Sequence, residues 1–422
     1  MTGLDTVQLV ADFIDDIAEI GRHPLGGWHR PGFSRLERDA HEVFARWGRD
    51  LGLTVRTDPS GNTFATRPGR LDRPPILLGS HLDTVGQGGA YDGVVGVAAG
   101  LAVAHLLAED ELDAPVAAVA FATEEGARFG APCVGSQLMT GEIDQHTLAA
   151  MVDVDGVSAL DAAHAVGLDP GAEGTVWSPG SVGAFIEVHI EQGRVLEDRS
   201  LRCGIVDTVA GSTRLRIRFT GRADHSGATP MRMRQDALAA AAEVVGEVER
   251  QAARLRTAVA TVGQLDVSPN SLTTVPGAVT FTIDVRDVDS DRQRALTQDL
   301  IDTAHRTGAR RDVAMEATLL SDHSPVVLHQ TVQQLLAEAA AELRAETCVL
   351  PSGAGHDAQH LSRLGPTGML FIPCRDGLSH NPAEHCDLDD IVLASRIAAE
   401  GVRRIDAQPV PAAHYRLELN TT

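Results

Sequence analysis

The sequence predicts an α/β protein of two domains, in which a mixed, mostly parallel sheet forms the larger domain and a ferredoxin-like α+β domain is inserted into it. Three observations support this prediction. With 422 residues, the chain is too long for one compact core. Continuous apolar runs at residues 76–78 and 115–122 are typical of strands buried on both faces of a parallel sheet. From Thr213 onward, apolar residues alternate with arginines, which indicates a half-solvated strand of a different sheet.

The larger domain is predicted to occupy residues 1–212 and 325–422. Its first helix, at residues 5–20, has apolar residues at helical spacing, and Ser34 with Glu37 has the form of a capping box ahead of a second helix that ends near Leu51. The remaining elements are predicted in this order: strands at 53–57 and 62–66 around a turn at 58–61, a strand at 76–78, a helix at 93–107, a strand at 115–122, a surface excursion at 156–179, a strand at 184–190, a helix at 331–344, a strand at 368–372, a helix at 389–405 and a loosely ordered tail from Ala407.

The inserted domain is predicted at residues 213–324. Its segments are, in order, a strand at 213–219, a long Ala-rich helix at 236–256, strands at 258–262 and 279–286, a helix at 291–307 and a strand at 313–319. This β-α-β-β-α-β order is that of a ferredoxin-like domain, in which the helices cover one face of a small sheet.

Composition and charge exclude several classes of protein. The formal net charge of −22 leaves no basic stripe to neutralise phosphates, so we expect no nucleic-acid partner. No apolar run approaches the ~20 residues that span a bilayer, and the acidic N-terminus lacks the basic region of a signal peptide. We therefore expect a cytoplasmic protein with no membrane partner. The five cysteines form no Cys-x-x-Cys pair, and the absence of lysine excludes Schiff-base chemistry and a P-loop.

A histidine and two aspartates follow the predicted strand at 76–78. His81 and Asp83 lie where a parallel sheet presents polar side chains to a crevice, so His81 could bind a metal while Asp83 takes its other ring N–H. Asp92 comes directly before a helix and could be a further ligand. Each residue also has a structural alternative, and for Asp92 this is capping of the helix N-terminus.

Two adjacent carboxylates, Glu124 and Glu125, end the next buried strand. Their mutual repulsion is costly unless a cation is near, which favours a functional site. Successive strand residues face opposite ways, so the backbone must turn here for both to serve one site, and Gly126 permits such a turn. His189, on the strand at 184–190, is by itself more typical of a core residue than of a ligand.

Together with His380 or His385, these groups form a set of nitrogen and oxygen donors without a thiolate. Such a set suits zinc, manganese, cobalt or nickel. Because the donors are too many for one ion, and because Glu124 is left over, a hydrolytic centre with two divalent metal ions is the simplest interpretation.

Seven short segments of the sequence, taken together, resemble the motifs of a known family. In order they are GSHLDTV, GGAYDG, ATEEGARF, EVHIEQG, DHSGATPM, SGAGHDA and GLSHNPAEH, and they span nearly the whole chain. This series resembles the M20-type metallo-amidohydrolases, which include N-carbamoyl-L-amino-acid hydrolases, allantoate amidohydrolases and β-ureidopropionases. The resemblance implies a two-domain metallohydrolase whose inserted domain acts as a lid and dimerisation domain.

The resemblance also implies roles for individual residues. Asp92 would bridge the two metals, with His81 and His189 completing one site and Glu125 and His380 the other. His380 is preferred to His385 because the family ligand is the histidine of S-H-N-P-A-E. Glu124 would be the general base, Asp83 would orient His81, and His225 of the lid would stabilise the oxyanion, often in the neighbouring subunit. A homodimer through the lid domain is therefore expected.

The expected substrate is a small-molecule carboxylate. Family members hold its carboxylate with the arginine that matches Arg286, and further contacts are expected from Gln192 and from the backbone of Gly353 and Ala354. Thr273 stands where the family usually has the asparagine of N-x-V-P-G, so one amide contact to the substrate is missing or replaced.

The leading functional hypothesis is hydrolysis of an N-carbamoyl-L-amino acid to the amino acid, carbon dioxide and ammonia. An allantoate or ureidoglycolate-type amidohydrolase is the nearest alternative. A dipeptidase or deacylase is disfavoured by His189, since related peptidases generally carry a carboxylate at this position. An alternative outside the enzymes is a catalytically silent metal-binding scaffold. Such a scaffold, however, has no use for Glu124 beside the metals.

Overall fold

The computed structural model describes residues 5–411, which form twelve α-helices and fifteen strands. The helices are α1 (Thr6–Ala18), α2 (Arg35–Asp50), α3 (Val94–Leu106), α4 (Val134–Thr140), α5 (Gln145–Ala150), α6 (Ala159–Ala165), α7 (Val195–Asp198), α8 (Ala237–Ala252), α9 (Ser290–Arg311), α10 (Gln330–Glu342), α11 (Asp357–Leu361) and α12 (Leu388–Ala407). The strands are β1 (Thr54–Thr57), β2 (Thr63–Arg67), β3 (Ile76–His81), β4 (Val116–Phe121), β5 (Ala184–Ile190), β6 (Cys203–Val209), β7 (Gly211–Thr220), β8 (Asp224–His225), β9 (Val259–Ser268), β10 (Thr274–Val275), β11 (Ala278–Asp287), β12 (Ala314–His323), β13 (Val326–Val327), β14 (Thr347–Ser352) and β15 (Thr367–Ile372).

These elements divide into two compact units. One comprises the described residues up to Asp207 and those from Leu328 onward, and the other is Thr208–Val327. None of the described helices has the length and apolar character needed to cross a membrane.

The larger unit is built around a mixed sheet with the strand order β1–β2–β4–β3–β5–β15–β6, and β14 also pairs with β6. The central strands β4, β3, β5 and β15 run parallel, whereas β1, β2 and β6 join antiparallel. All residues of the four central strands are buried, which explains their continuous apolar sequence. Helix α3 is buried on nearly every side because it packs on β3 and also against α1 and α12.

The smaller unit contains an antiparallel sheet with the order β12–β7–β11–β9, and α8 and α9 pack on it. Along β7, Leu215, Ile217 and Phe219 are buried, while the intervening arginines are not. Phe219 stacks on Phe281 of β11 inside this second core. The two-domain α/β class with a ferredoxin-like insertion is thus confirmed.

Several short elements were not predicted. Residues 156–179 contain α6, and α4, α5, α7, β6 and β14 have no counterpart in the sequence prediction. Helices α4 and α5 are too short to show an apolar period, and with α6 they contribute to a small separate core around Phe33 and Leu138. The last helix reaches Ala407, where a loose tail was expected to begin, and residues 412–422 of that tail lie outside the described residues.

Gly79 of β3 provides a direct test of this packing. A Cβ at this position would lie 1.8 Å from the Val119 carbonyl oxygen of β4, which is backbone and cannot move aside cheaply. We expect Gly79→Ala to lower the free energy of unfolding by about 3 kcal/mol, the upper end for overpacking. The matched control is Gly86→Ala, since Gly86 is exposed and a Cβ added there would have no neighbour within 4 Å. Urea unfolding of both variants measures the difference, and equal midpoints would contradict the packing described.

Candidate metal centre

Four chain segments bring polar side chains to one edge of the larger sheet. His81 is the last residue of β3, and His189 is the penultimate residue of β5. Glu124 and Glu125 follow β4, and the loop after β15 carries His380. Because the carboxyl ends of parallel strands meet at the same edge, residues far apart in sequence become neighbours.

Two groups of potential metal ligands share Asp92. In the first, the His189 Nε2 and His81 Nε2 atoms lie 3.1 and 3.8 Å from Asp92 Oδ1. In the second, His380 Nε2 lies 3.3 Å from Asp92 Oδ2 and 3.3 Å from Glu125 Oε2. Within each group, the ligand atoms all lie within 4.8 Å of one another. The two oxygens of one carboxylate therefore face two adjacent sets of donors.

The donors in these groups fit divalent cations. Burial alone would raise the pKa of Asp92, but hydrogen bonds from His189 and His380 outweigh it and hold that pKa well below its usual range. The hydrogen bonds of His380 to Asp92 and Glu125 raise the pKa of this histidine to about 10. A metal cation bound among these groups would stabilise the same carboxylates. The Glu125 Oε1 atom is buried and has no hydrogen-bond partner, as expected of an oxygen available to a metal.

A third group of close donors, Glu187, His189 and His356, is less suited to a metal. The Glu187 oxygens accept hydrogen bonds from Ser80 Oγ at 2.7 Å and from the Ala358 N–H at 2.9 Å. His356 Nε2 lies 2.8 Å from Ser352 Oγ. These hydrogen bonds make the group less available to a metal, and the His356 ring instead packs edge-on against the His189 ring, with the ring centroids 4.5 Å apart.

Glu124 is buried but belongs to none of these groups. Its Oε2 atom lies 3.5 Å from His81 Nε2, and its Oε1 atom accepts a hydrogen bond from the Cys133 thiol at 3.0 Å. Burial raises the pKa of Glu124 to about 7, with a further contribution from the neighbouring Glu125 charge. A carboxyl group with such a pKa can both accept and donate a proton near neutral pH.

Asp83 acts mainly on the backbone of the two glutamates. Its Oδ1 and Oδ2 atoms accept hydrogen bonds from the Glu124 and Glu125 N–H groups at 2.9 and 3.0 Å. The His81 Nδ1 atom lies 3.2 Å from the Asp83 carbonyl oxygen and 3.5 Å from its carboxylate, so the carbonyl is its nearer partner. The expected backbone turn is present, and it begins at Thr123, where φ is +56°.

The interpretation of Asp92 as a helix cap is wrong. Gly93 is the N-cap of α3, with φ of +69°, and no side chain caps this end. The Asp92 carboxylate instead accepts hydrogen bonds from Gln192 Nε2 and Ser379 Oγ, each at 3.0 Å. Gly93 is required here, because a Cβ would lie 2.5 Å from the His81 ring.

Gln192 and Ala354, from which substrate contacts are predicted, both form hydrogen bonds within the chain. The Gln192 amide donates to Asp92 and to Ser379, so this side chain orients a candidate ligand, while its buried Oε1 atom has no partner. The Ala354 N–H donates to Ser352 Oγ at 3.1 Å. Gly353 is exposed beside it.

His225, Thr273 and Arg286 all lie in the smaller unit. Thr274 pairs with His225 between β10 and β8, and the Thr273 carbonyl oxygen accepts a hydrogen bond from the Ser226 N–H, so His225 and Thr273 are close together. His225 is exposed, and its Nδ1 atom accepts hydrogen bonds from the Gly227 and Ala228 N–H groups at 3.1 Å. This arrangement leaves Nε2 as the protonated nitrogen. Arg286 forms an ion pair with Asp284 at 3.0 Å.

Two buried glutamates, neither of which was predicted to have a role at the site, hold the ligand loops. Glu384 Oε1 accepts hydrogen bonds from the Tyr91 and Asp92 N–H groups, each at 2.9 Å. Glu37 accepts hydrogen bonds from the Phe33 and Thr123 N–H groups at 2.7 and 2.6 Å, rather than from the Ser34 N–H group as in a capping box. Glu384 lies in the motif GLSHNPAEH, so its role at the site could have been predicted from that motif. Glu37 matched a capping pattern, which gave it a different predicted role.

His385 is near Tyr91 and belongs to neither Asp92 group.

Comparisons with known proteins agree with this architecture. Residues 77–404 match the model of peptidase family M20/M25/M40. The chain is 37% identical to an N-carbamoyl-L-amino acid amidohydrolase of Geobacillus stearothermophilus, over 90% of this chain and 94% of the relative. It is 33% identical to the allantoate amidohydrolase of Escherichia coli K12, over 94% and 96% of the two chains.

A solved structure is similar throughout its length. A hydantoinase/carbamoylase family amidase from Burkholderia ambifaria superposes with a TM-score of 0.84 at 36% identity, covering 95% of this chain and 97% of that one. The match to the family model covers most of the chain, and both relatives exceed 30% identity over nearly their whole length. This chain therefore belongs to peptidase family M20/M25/M40.

Proposed function

We propose that this protein is a two-metal amidohydrolase that cleaves the ureido C–N bond of N-carbamoyl-L-amino acids. The observation that carries the proposal is the sharing of Asp92 by two ligand groups, with Glu124 buried beside them and engaged by neither. That the chain hydrolyses amide bonds follows from its family, in which the relatives named above are amidohydrolases. The preference for N-carbamoyl-L-amino acids rests on the relative from Geobacillus, and allantoate is the alternative that the Escherichia relative supports.

In this proposal, His81, Asp92 and His189 hold one divalent ion, and Asp92, Glu125 and His380 hold the other. Zinc, manganese, cobalt or nickel ions bound there would lower the pKa of water and polarise the substrate carbonyl group. Glu124 accepts the proton of the attacking water on Oε2, the oxygen that faces His81. It then donates this proton to the departing amino group. The amino acid is released, and the remaining carbamate decomposes to carbon dioxide and ammonia.

The substrate carboxylate is assigned to Arg286, because a planar guanidinium can bind a carboxylate through two parallel hydrogen bonds. Arg286 is the penultimate residue of β11, a strand that is paired on both sides and buried at alternate residues, and its ion pair with Asp284 holds it in place. Thr273 replaces the amide side chain that is usual in the family, which favours a less polar substrate than allantoate. His189 disfavours a dipeptide for the reason given above.

A substrate panel tests the proposed function. The purified protein, stripped of metal and reloaded with zinc, manganese, cobalt or nickel, is assayed for ammonia and amine release from N-carbamoyl-L-amino acids, N-carbamoyl-β-alanine, allantoate and dipeptides. We expect release from N-carbamoyl-L-amino acids and, because of Arg286, much slower release from the same compounds with the carboxylate converted to an amide. Release from dipeptides alone would overturn the proposal.

Replacement of the general base gives a second prediction. Glu124→Gln keeps the size of the side chain but cannot accept the proton, so we expect turnover to fall by about a hundred- to ten-thousand-fold. Metal content, measured by mass spectrometry, should stay at the wild-type value because Glu124 belongs to neither ligand group. Glu109→Gln, a neutralised carboxylate at an exposed position, is the matched control. Near-normal turnover of Glu124→Gln would remove this residue from the mechanism.

We further propose that two copies associate through the lid domain and that His225 acts in the partner's site. The exposed position of His225 on its own unit supports this, as do the exposed apolar residues Leu265 and Leu319 on the two edge strands of the sheet. Exposed edge strands with apolar side chains are suited to pairing with a second copy.

Subunit mixing tests this arrangement. Glu124→Gln and His225→Ala chains are each expected to be nearly inactive alone. A dimer of one chain of each kind contains one site with both groups intact if His225 crosses to the partner, so we expect about half of the wild-type turnover. Absence of any recovery in a dimer verified by its two affinity tags would contradict the crossing of His225, and a monomer by sedimentation would contradict the dimer.

A further inference from the structure

Cys133 is a buried residue with two contacts to Glu124. Its thiol Sγ atom lies 3.0 Å from Glu124 Oε1, and its N–H group donates to the Glu124 carbonyl oxygen at 2.7 Å. The Cys133 side chain is fully buried. Neither the roles implied by the family resemblance nor the ligand groups include this residue.

The backbone around Cys133 fixes the position of its thiol. The N–H groups of Cys133, Val134 and Gly135 donate in succession to the carbonyl oxygens of Glu124, Thr123 and Ala122. Cys133 itself is in the left-handed region, with φ of +55°. This conformation costs roughly 1–2 kcal/mol for a residue with a Cβ, so the three hydrogen bonds are needed to hold it. The start of α4 is therefore bound to the segment that carries the catalytic base.

The thiol acts as a hydrogen-bond donor in this contact. Burial, together with the nearby Glu124 charge, raises the pKa of Cys133 well above its ordinary value, so the sulfur keeps its proton. A buried thiol of this kind is a weak donor and chemically inert. Among the described side-chain contacts, Glu124 Oε1 is the only oxygen that accepts a hydrogen bond from this thiol.

The two oxygens of Glu124 consequently differ. Oε1 is directed towards Cys133, while Oε2 lies 3.5 Å from His81 Nε2 at the ligand groups. If the carboxylate made a quarter-turn about its last bond, the thiol contact would be lost, whereas a half-turn only exchanges its two equivalent oxygens. The side chain is thus held in the orientation that presents Oε2 to the reacting water.

We propose that Cys133 is a positioning residue: its thiol holds one carboxylate oxygen of Glu124, fixes the plane of the carboxylate and so keeps the other oxygen directed at the ligand groups for proton transfer. This inference rests on the proposed role of Glu124 as general base. This role requires a side chain at position 133 that is long enough to donate a hydrogen bond to Glu124. It does not require a reactive sulfur.

Kinetics of three variants test the inference, on whichever substrate the wild type hydrolyses. Cys133→Ala should lower kcat about tenfold, in line with loss of one hydrogen bond to a charged group, while KM stays within about twofold. Cys133→Ser, which retains a donor, should recover most of the lost kcat. Cys203→Ala is the matched control, since Cys203 is an equally buried thiol whose weak contact is the Gly204 carbonyl oxygen at 3.9 Å, and its kcat should equal that of the wild type.

Three results would overturn the inference, two of them purely kinetic. One is a wild-type kcat for Cys133→Ala, and the other is an equal loss in the alanine and serine variants with metal content and unfolding midpoint unchanged. A loss in Cys133→Ala that is accompanied by lost metal or a lower unfolding midpoint, and that the serine variant does not recover, also overturns it in favour of a packing role.

Infrared spectroscopy examines the contact without relying on turnover. The S–H stretch of Cys133, obtained as the difference between wild type and Cys133→Ala, should lie at lower frequency than that of Cys203. In a Glu124→Gln background it should shift upward, because a neutral amide is a weaker acceptor than a carboxylate. An unshifted band would refute the thiol contact. If the wild type hydrolyses no substrate of the panel, the proposed function fails, and the infrared result alone decides the Cys133 contact.

Discussion

The buried carboxylate of Asp92 is the group on which the rest of the site depends. It faces His81 and His189 through one oxygen and His380 through the other. An ionised carboxylate removed from water is costly unless cations and hydrogen-bond donors surround it. The parallel arrangement of β3, β4, β5 and β15 supplies these groups, because it brings the ends of four segments to one edge of the sheet.

Three further acidic residues hold the loops that carry the candidate ligands. Asp83 binds the N–H groups of Glu124 and Glu125, Glu384 binds those of Tyr91 and Asp92, and Glu37 binds those of Phe33 and Thr123. In each case, one carboxylate satisfies two backbone donors, which offsets part of the cost of its own burial. The acidic residues near the candidate metal centre thus fall into two kinds, those that belong to the candidate ligand groups and those that bind the backbone.

Sequence patterns could predict the buried strands, the inserted domain and the approximate positions of His81, Glu125 and His189, because continuous apolar runs and polar residues at strand ends are local signals. They could not predict α4 and α5, which are too short for an apolar period, or the role of Glu37, whose partner Thr123 is distant in sequence. The capping interpretation of Asp92 failed for a related reason, since the position before a helix is the same for a cap and for a ligand. The contact between Cys133 and Glu124 depends on the left-handed backbone conformation of Cys133, which no sequence pattern predicts.

The proposed function requires that the two ligand groups that share Asp92 each bind a metal ion. The most direct measurement is a crystal structure of the protein loaded with zinc or manganese, with anomalous diffraction recorded above and below the absorption edge of that metal. We expect two anomalous peaks, one among His81, Asp92 and His189 and one among Asp92, Glu125 and His380. A single peak at fully loaded protein, or a peak among Glu187, His189 and His356 instead, would contradict it.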